Sequence, residues 1–279
     1  MKRKLLLCIL IIFAFIMCYP ILFLVTGSMM SQGELKASLR PVLLLGEGVA
    51  SWKVIPLYPT LKHYVQILLD SPEFFLMFWN SMKMLVFILI GQFFIGVPAA
   101  WGFARFNFPF KKVLFSIYII LMMMPFQVTM LSNYLVLNKL KLIDTHASII
   151  LPAIFSTFPI FIMYRFFCGV PESIIESAKI DGANAIQMFI KLGLPLGSAG
   201  IISALVLGFL EYWNLIEQPL AFLKSKALWP LSLYLPNINL EKAGMAFAAS
   251  VLTLVPAILV FLGGQDYLEQ GIVATATKE

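Results

Sequence analysis

The chain has 279 residues, of which 61% are hydrophobic and only 12% charged, and its mean hydropathy is +0.92. A water-soluble domain carries about 25% charged residues, so this chain cannot cover a globule's surface, and its long unbroken apolar runs exclude a membrane barrel, whose strands alternate. The net charge of +6 does not point to nucleic acid, because the 20 basic residues are scattered between the apolar runs rather than gathered on one stripe.

Six apolar segments follow in order, at 5–27, 79–104, 113–136, 147–168, 198–219 and 246–268. Each is long enough to cross a bilayer as a helix, which takes about 20 apolar residues. The predicted fold class is therefore all-α integral membrane, six transmembrane helices in a single domain over 1–279. Lys2-Arg3-Lys4 and the run from Leu5 to Val25 resemble a signal peptide only superficially: the run exceeds a signal's apolar region and lacks a small-residue cleavage site, so it reads as a retained first helix. Residues 28–78 carry Lys36, Arg40, Lys53, Lys62, Glu34, Glu47, Asp70 and Glu73 with Pro41, Pro56 and Pro59, which keeps them out of lipid. Pro125 is expected to kink the third helix.

Gln92, Gln127, Asn133, Glu211, Asn214 and Glu217 lie in or near apolar runs, where polar groups are costly and face a cavity or a partner. Gln127, Asn133 and Asn214 are the pathway-lining candidates, Gln127 foremost because it follows Pro125. Interfacial placement or helix–helix hydrogen bonding accounts equally well for Asn133, Asn214 and Glu217. Cys8, Cys18 and Cys168 read as buried packing thiols; the first two are separated by about 15 Å along one helix, beyond disulfide reach. Basic residues divide almost evenly between the two sides, but they are densest at Lys2–Lys4 and in the short turn from Arg105 to Lys112, which favours both termini in the cytoplasm.

The segment 171–195, between the fourth and fifth runs, reads as a helix, a sharp turn and a second helix. Pro171 suits a helix start and Glu172 its positive end. Asp181-Gly182 signals the stop, since glycine accepts left-handed backbone angles. Ala185, Ile186, Phe189 and Leu192 then recur at helical spacing, and Pro195 marks entry into the fifth run.

Here the chain resembles the permeases of bacterial ABC importers, whose coupling motif runs Glu-Ala-Ala, a spacer, Gly, a longer spacer, an aliphatic residue and Leu-Pro. The matching residues are Glu176-Ser177-Ala178, Gly182, Leu192 and Leu194-Pro195, with serine in the second alanine's place. Pro59-Thr60-Leu61, Tyr64, Asn80-Ser81, Gly102-Phe103-Ala104-Arg105, Pro125, Leu142-Ile143-Asp144-Thr145 and Trp213-Asn214 resemble landmarks of the oligosaccharide-type carbohydrate permeases, most narrowly the maltose-permease partner subunit. Residues 271–279 are similar to that family's glycine-rich tail, departing from it at Thr275 and Glu279.

The resemblance implies a type I ABC importer permease fold in a bacterial inner membrane, with a cytoplasmic coupling helix that docks in a groove of a separate ATPase. Ser177, Ala178, Gly182 and Ala183 would permit close approach, Glu176 would pair with a basic partner residue, and Asp181 would fix the turn. Implied partners are a second permease subunit, most simply a homologue, two ABC ATPase subunits, and an extracellular solute-binding protein facing the loops at 28–78 and 220–245. ATP and magnesium would be bound by the ATPase; no cofactor or metal is expected in this chain, which would be a transport subunit and not an enzyme. Oligosaccharides are the implied solutes, with polyols and glycerol-phosphate compounds as alternatives.

Other readings are weaker. An amphipathic helix at the membrane surface does not require an Asp-Gly turn at this offset from Leu-Pro. A six-helix half of an ion-coupled transporter would want coupling acids at mid-membrane, where only Glu211 comes close. The chain has no phosphate loop, no H-E-x-x-H and no nucleophile elbow, and His63 and His146 are isolated in predicted external loops. Leu262-Gly263-Gly264-Gln265 resembles an ABC signature motif by coincidence, because no Walker sequence accompanies it.

Overall fold

The computed structural model describes residues 2–43, 49, 53–234 and 240–276, and every regular element among them is helical. Glu47 and the last three residues of the tail lie outside the described residues. The first apolar run forms α1 (Lys2–Met29). The polar stretch after it carries two helices, α2 (Gln32–Leu43), with Glu34 in its first turn and Arg40 in its last as the helix dipole favours, and α3 (Lys62–Asp70). The second run is α4 (Pro72–Gly91), a π-helical turn at Gln92–Gly96, and α5 (Val97–Arg105).

The third run departs most from expectation. Pro125 does not kink it but breaks it into α6 (Lys111–Met123) and α7 (Phe126–Lys139), which meet at 105°. Met124 is extended (ψ 121°), the conformation a following proline favours, and Pro125 (ψ 148°) starts α7 instead of continuing α6. The fourth run is α8 (Ala147–Ile154) and α9 (Thr157–Gly169), interrupted at Phe155-Ser156. Next come α10 (Glu172–Ile180), α11 (Ala185–Met188), a π-helical turn at Phe189–Gly193, α12 (Leu194–Leu196) and α13 (Ser198–Trp213), with a 68° bend before α13. The fifth run was expected to reach 219; it stops at Trp213, and α14 (Glu217–Phe222) starts afresh. Finally α15 (Ala243–Ala276) contains the sixth run. By length and composition four helical stretches can cross a bilayer, or six if each bent pair is one span.

Contacts divide the chain into two compact units, Met1–Met77 with Leu233–Pro256, and Phe78–Ser232 with Ala257–Glu279. In the first, Tyr64 and Ser28 share a 2.7 Å hydrogen bond, the Thr60 N–H donates to Met29 O, and Phe74 meets Tyr234 edge-to-face. His63, expected in an exposed loop, is instead buried on α3 with Nε2 at 3.1 Å from Met30 O. Cys8 and Cys18 are exposed, contrary to the packing role expected of them, because the chain buries none of the most apolar stretch of α1; Cys168 is half-buried.

The second unit is built on α5, α9 and α13, whose core includes Trp101, Ile160, Met163, Phe167, Ile201 and Ala204. Without a hydrophobic drive between helices in lipid, close packing decides their association. Gly200 lets α13 approach α9, since a Cβ there would collide with Phe166.

Candidate functional site

The segment after α9 is assembled from local signals. Pro171 caps α10 in an extended conformation, and Ile175 is its one buried side chain, anchoring the helix to the core of the second unit. The helix ends in a Schellman turn: the Gly182 N–H donates to Lys179 O (3.0 Å) and the Ala183 N–H to Ala178 O (2.9 Å), with Gly182 at φ +81°. A reciprocal cap then starts α11, where Asn184 Oδ1 accepts the Gln187 N–H (2.8 Å) and Gln187 Oε1 accepts the Asn184 N–H (2.9 Å).

Glu176, Ser177, Asp181 and Gly182 are exposed on this element, while Ala178 and Ala183 are half-buried. Glu176 is exposed and forms no ion pair among the described residues, and the Ser177 hydroxyl is turned back onto Ser173 O at 2.8 Å. Beside them Ile174, Ile180, Ile186 and Ile190 are exposed, Ile180 by 87%. Ile174 and Ile180, exposed on α10 outside the stretches that can cross a bilayer, are the kind of surface that a partner covers.

The base of the element is held by Arg105, visible in the sequence only as part of a landmark run and a basic turn, and by Trp101, which sequence reasoning did not single out. Arg105, the last residue of α5, donates from Nη1 to Glu172 (2.8 Å) and from Nη2 to Phe167 O and Val170 O (2.6 Å each). Its guanidinium lies 5.6 Å from the centre of the Trp101 ring. Trp101 in turn meets Phe167 edge-to-face at 5.3 Å and Phe189 at 6.0 Å, and a Cβ on Gly193 would come within 3.0 Å of it. The run Gly102 to Arg105 was visible as a family landmark, but nothing local announces contacts more than sixty residues away.

A second polar cluster fastens the segment from Phe222 to Leu231. Asp144, itself at φ +61°, accepts from the Lys224 N–H, the Ser225 N–H and the Ser225 hydroxyl at 2.7–2.8 Å. Those donors, the Ser225 N–H foremost, hold its carboxyl below the usual range. His146 Nε2 lies 3.1 Å from Leu228 O; burial pushes its pKa down, with the charge of Lys83 a lesser cause and the Leu228 bond opposing. Asn80 donates to Ala227 O and Trp229 O, and Ser81 accepts from the Leu231 N–H. Asn80-Ser81 and Asp144 are thus landmarks because they tie one loop.

Of the pathway candidates, Gln127 donates to Glu217 at 2.7 Å, both exposed. Asn133 is half-buried on α7, and Asn214 turns its amide onto Leu210 O at the end of α13. Gln127 and Asn133 share α7, and Asn214 follows the last residue of α13. Gln92, buried in its π-helical turn, ties Ala153 O (2.9 Å) at the break in the fourth run to the Tyr212 hydroxyl (3.2 Å).

Several apolar spans, interrupted by an element with exposed isoleucines, define a multi-pass membrane protein. Residues 92–274 match the family of binding-protein-dependent transport system inner membrane components, and the chain belongs to that family: it is a membrane permease subunit of an ABC importer. It is 26% identical over 268 residues to the arabinooligosaccharides transport system permease protein AraQ of Halalkalibacterium halodurans, covering 95% of this chain and 92% of that one. It is 29% identical over 221 residues to the sn-glycerol-3-phosphate transport system permease protein UgpE of Salmonella choleraesuis, covering 73% and 74%. Its fold matches, with a TM-score of 0.80 at 22% identity and over 95% and 96% of the two chains, that of a bacterial ABC transporter involved in the import of the acidic polysaccharide alginate.

Proposed function

We propose that α10 and α11 form the cytoplasmic coupling helix through which a separate ATP-hydrolysing subunit drives this permease. The observation that carries the reading is the exposed isoleucines on α10 and α11, two helices joined by the glycine turn at Gly182 and followed, through a π-helical turn and α12, by α13. Glu176, Ser177, Ala178, Asp181, Gly182 and Ala183 make up its contact edge. Two such ATPase subunits, which bind ATP and magnesium, a second permease chain homologous to this one, and a solute-binding protein complete the importer, and both termini of this chain face the cytoplasm of a bacterial cell. Gln127 with Glu217 offers paired hydrogen-bonding groups of the kind a polyhydroxylated solute exchanges for water, and lines the pathway together with Asn133 and Asn214.

The solute class is oligosaccharide, supported by the likeness to AraQ; the likeness to UgpE keeps a glycerol-phosphate compound as the second reading. Uptake of labelled arabino-oligosaccharide against labelled glycerol 3-phosphate in proteoliposomes, each with its binding protein, separates the two. Gly182→Asp tests the coupling element: the protein inserts in normal amount, yet uptake and binding-protein-stimulated ATP hydrolysis are lost, because a side chain is added at the exposed turn where close approach is required and sets a second carboxylate beside Asp181. Unchanged uptake in that variant would refute the docking role.

A further inference from the structure

We infer that Arg105 is a positioning residue for coupling: it ties the second apolar run to the elbow between α9 and α10, so that displacement of the coupling helix moves both runs at once. The inference rests on the coupling role proposed above.

Only Val170 and Pro171 stand between α9 and α10. Chain connectivity alone therefore hands a push on α10 to α9, and nothing in the backbone hands it to α5. Arg105 supplies that second link. Its two Nη atoms reach acceptors on both sides of the elbow, Phe167 O and Val170 O before it and Glu172 after it. The bonds are unequal in worth. Glu172 is 62% exposed, so its ion pair with the 10%-exposed arginine is screened by water and contributes little. The two carbonyl bonds are made by a buried cation to main-chain oxygens at a helix end, where charge and helix dipole both favour them. Trp101 beneath the guanidinium fixes its plane and packs at the same time on Phe167 and Phe189, so the fork cannot swing away without disturbing the core.

A planar fork is what this geometry demands. A lysine ammonium is a point donor on a flexible stem and cannot span two carbonyls and a carboxylate in one plane. The Nε of Arg105 is buried without a partner, so the side chain is held here by its tips and its ring contact and not by a closed network.

The test uses the assembled importer in proteoliposomes with its binding protein, reading arabino-oligosaccharide taken up per ATP hydrolysed. In parallel, a cysteine at position 178 is crosslinked to the ATPase subunit. Arg105→Ala is expected at normal abundance and with normal crosslinking, but with uptake per ATP reduced by about tenfold, within the range coupling changes reach. Arg105→Lys recovers part of the loss, and Glu172→Gln loses less than either. Uptake per ATP within about twofold of the parent in Arg105→Ala overturns the inference, and so does loss of that variant from the membrane or the complex, which would make Arg105 a tie for folding alone. If the Ala178→Cys parent, with Arg105 intact, gives no crosslink to the ATPase subunit, it is the coupling reading that fails, and the two failures are told apart.

Discussion

Asp144 and His146 have ionisation states that decide whether the segment from Phe222 to Leu231 stays fastened. Each has its pKa lowered in the fold, Asp144 from 3.8 by hydrogen bonds to its charged form, and His146 from 6.5 by burial of its neutral form. For a lowered pKa the contribution to stability is complete above the unfolded value and is lost as pH falls through the folded one. Acidification from neutrality therefore costs the fold stability in two steps, first as His146, kept neutral by burial, takes a proton below 6.5, then as Asp144 does below 3.8 and weakens its bonds to Lys224 and Ser225. Hydrogen exchange at the Ser225 and Leu231 amides, corrected for intrinsic pH dependence, is expected to show both. His146→Gln removes the upper step and leaves the lower, and Asp144→Asn weakens protection at every pH above the lower step. A single step shared by all three proteins would contradict the assignment. Gly182 is a residue of another kind, since it matters for a backbone angle rather than for a group it carries.

The elements differ in how far their own residues determine them. α10 needs little from elsewhere: Pro171 opens it, Asp181-Gly182 closes it, and Asn184 with Gln187 starts its successor. Its seating is another matter, and depends on Trp101, which is 4% exposed between α5, α9 and the π-helical turn at Phe189–Gly193. Trp101→Ala empties that space and is expected to destabilise the chain by about 3 kcal/mol or more, read as a lowered melting temperature in detergent. An unaltered melting temperature would show that the three elements are held otherwise. Local signals made the coupling segment legible in the sequence to within a residue or two, because proline, glycine and caps act within one turn of helix. The clamp at Arg105 was not legible: its acceptors lie more than sixty positions away, and a lone arginine at a helix end carries no pattern. The same limit explains Pro125, which announces a kink but not two separate helices meeting at 105°.

At the scale of the whole chain the open matter is whether each bent pair crosses the bilayer once or turns back, and the hydrogen bonds of the second unit bear on it. Asn80 and Ser81 touch Ala227, Trp229 and Leu231, while Asp144 and His146 touch Ser225 and Leu228, so all of these gather at one end. Arg105 touches Phe167, Val170 and Glu172 at the other end. The run from Asn80 to Arg105 connects the two ends, so the chain from Arg105 to Asp144, through the 105° bend, must travel back, and the chain from Val170 to Phe222, through the 68° bend, must do the same. Each bent pair is then one crossing, and with α1 and α15 the expected total is six. The end that carries Arg105, Lys111, Lys112, Arg165, Lys179 and Lys191 is the one the distribution of basic residues assigns to the cytoplasm. Reporter fusions test this directly: alkaline phosphatase joined after Lys141 or Ser225 is expected to be active, and a fluorescent protein joined after Gly182 or at the C-terminus to be bright. Phosphatase inactive after Lys141 while active after Ser225 would mean that α6 and α7 form a re-entrant loop, and the shared end inferred from Asp144 and Ser225 would then be wrong.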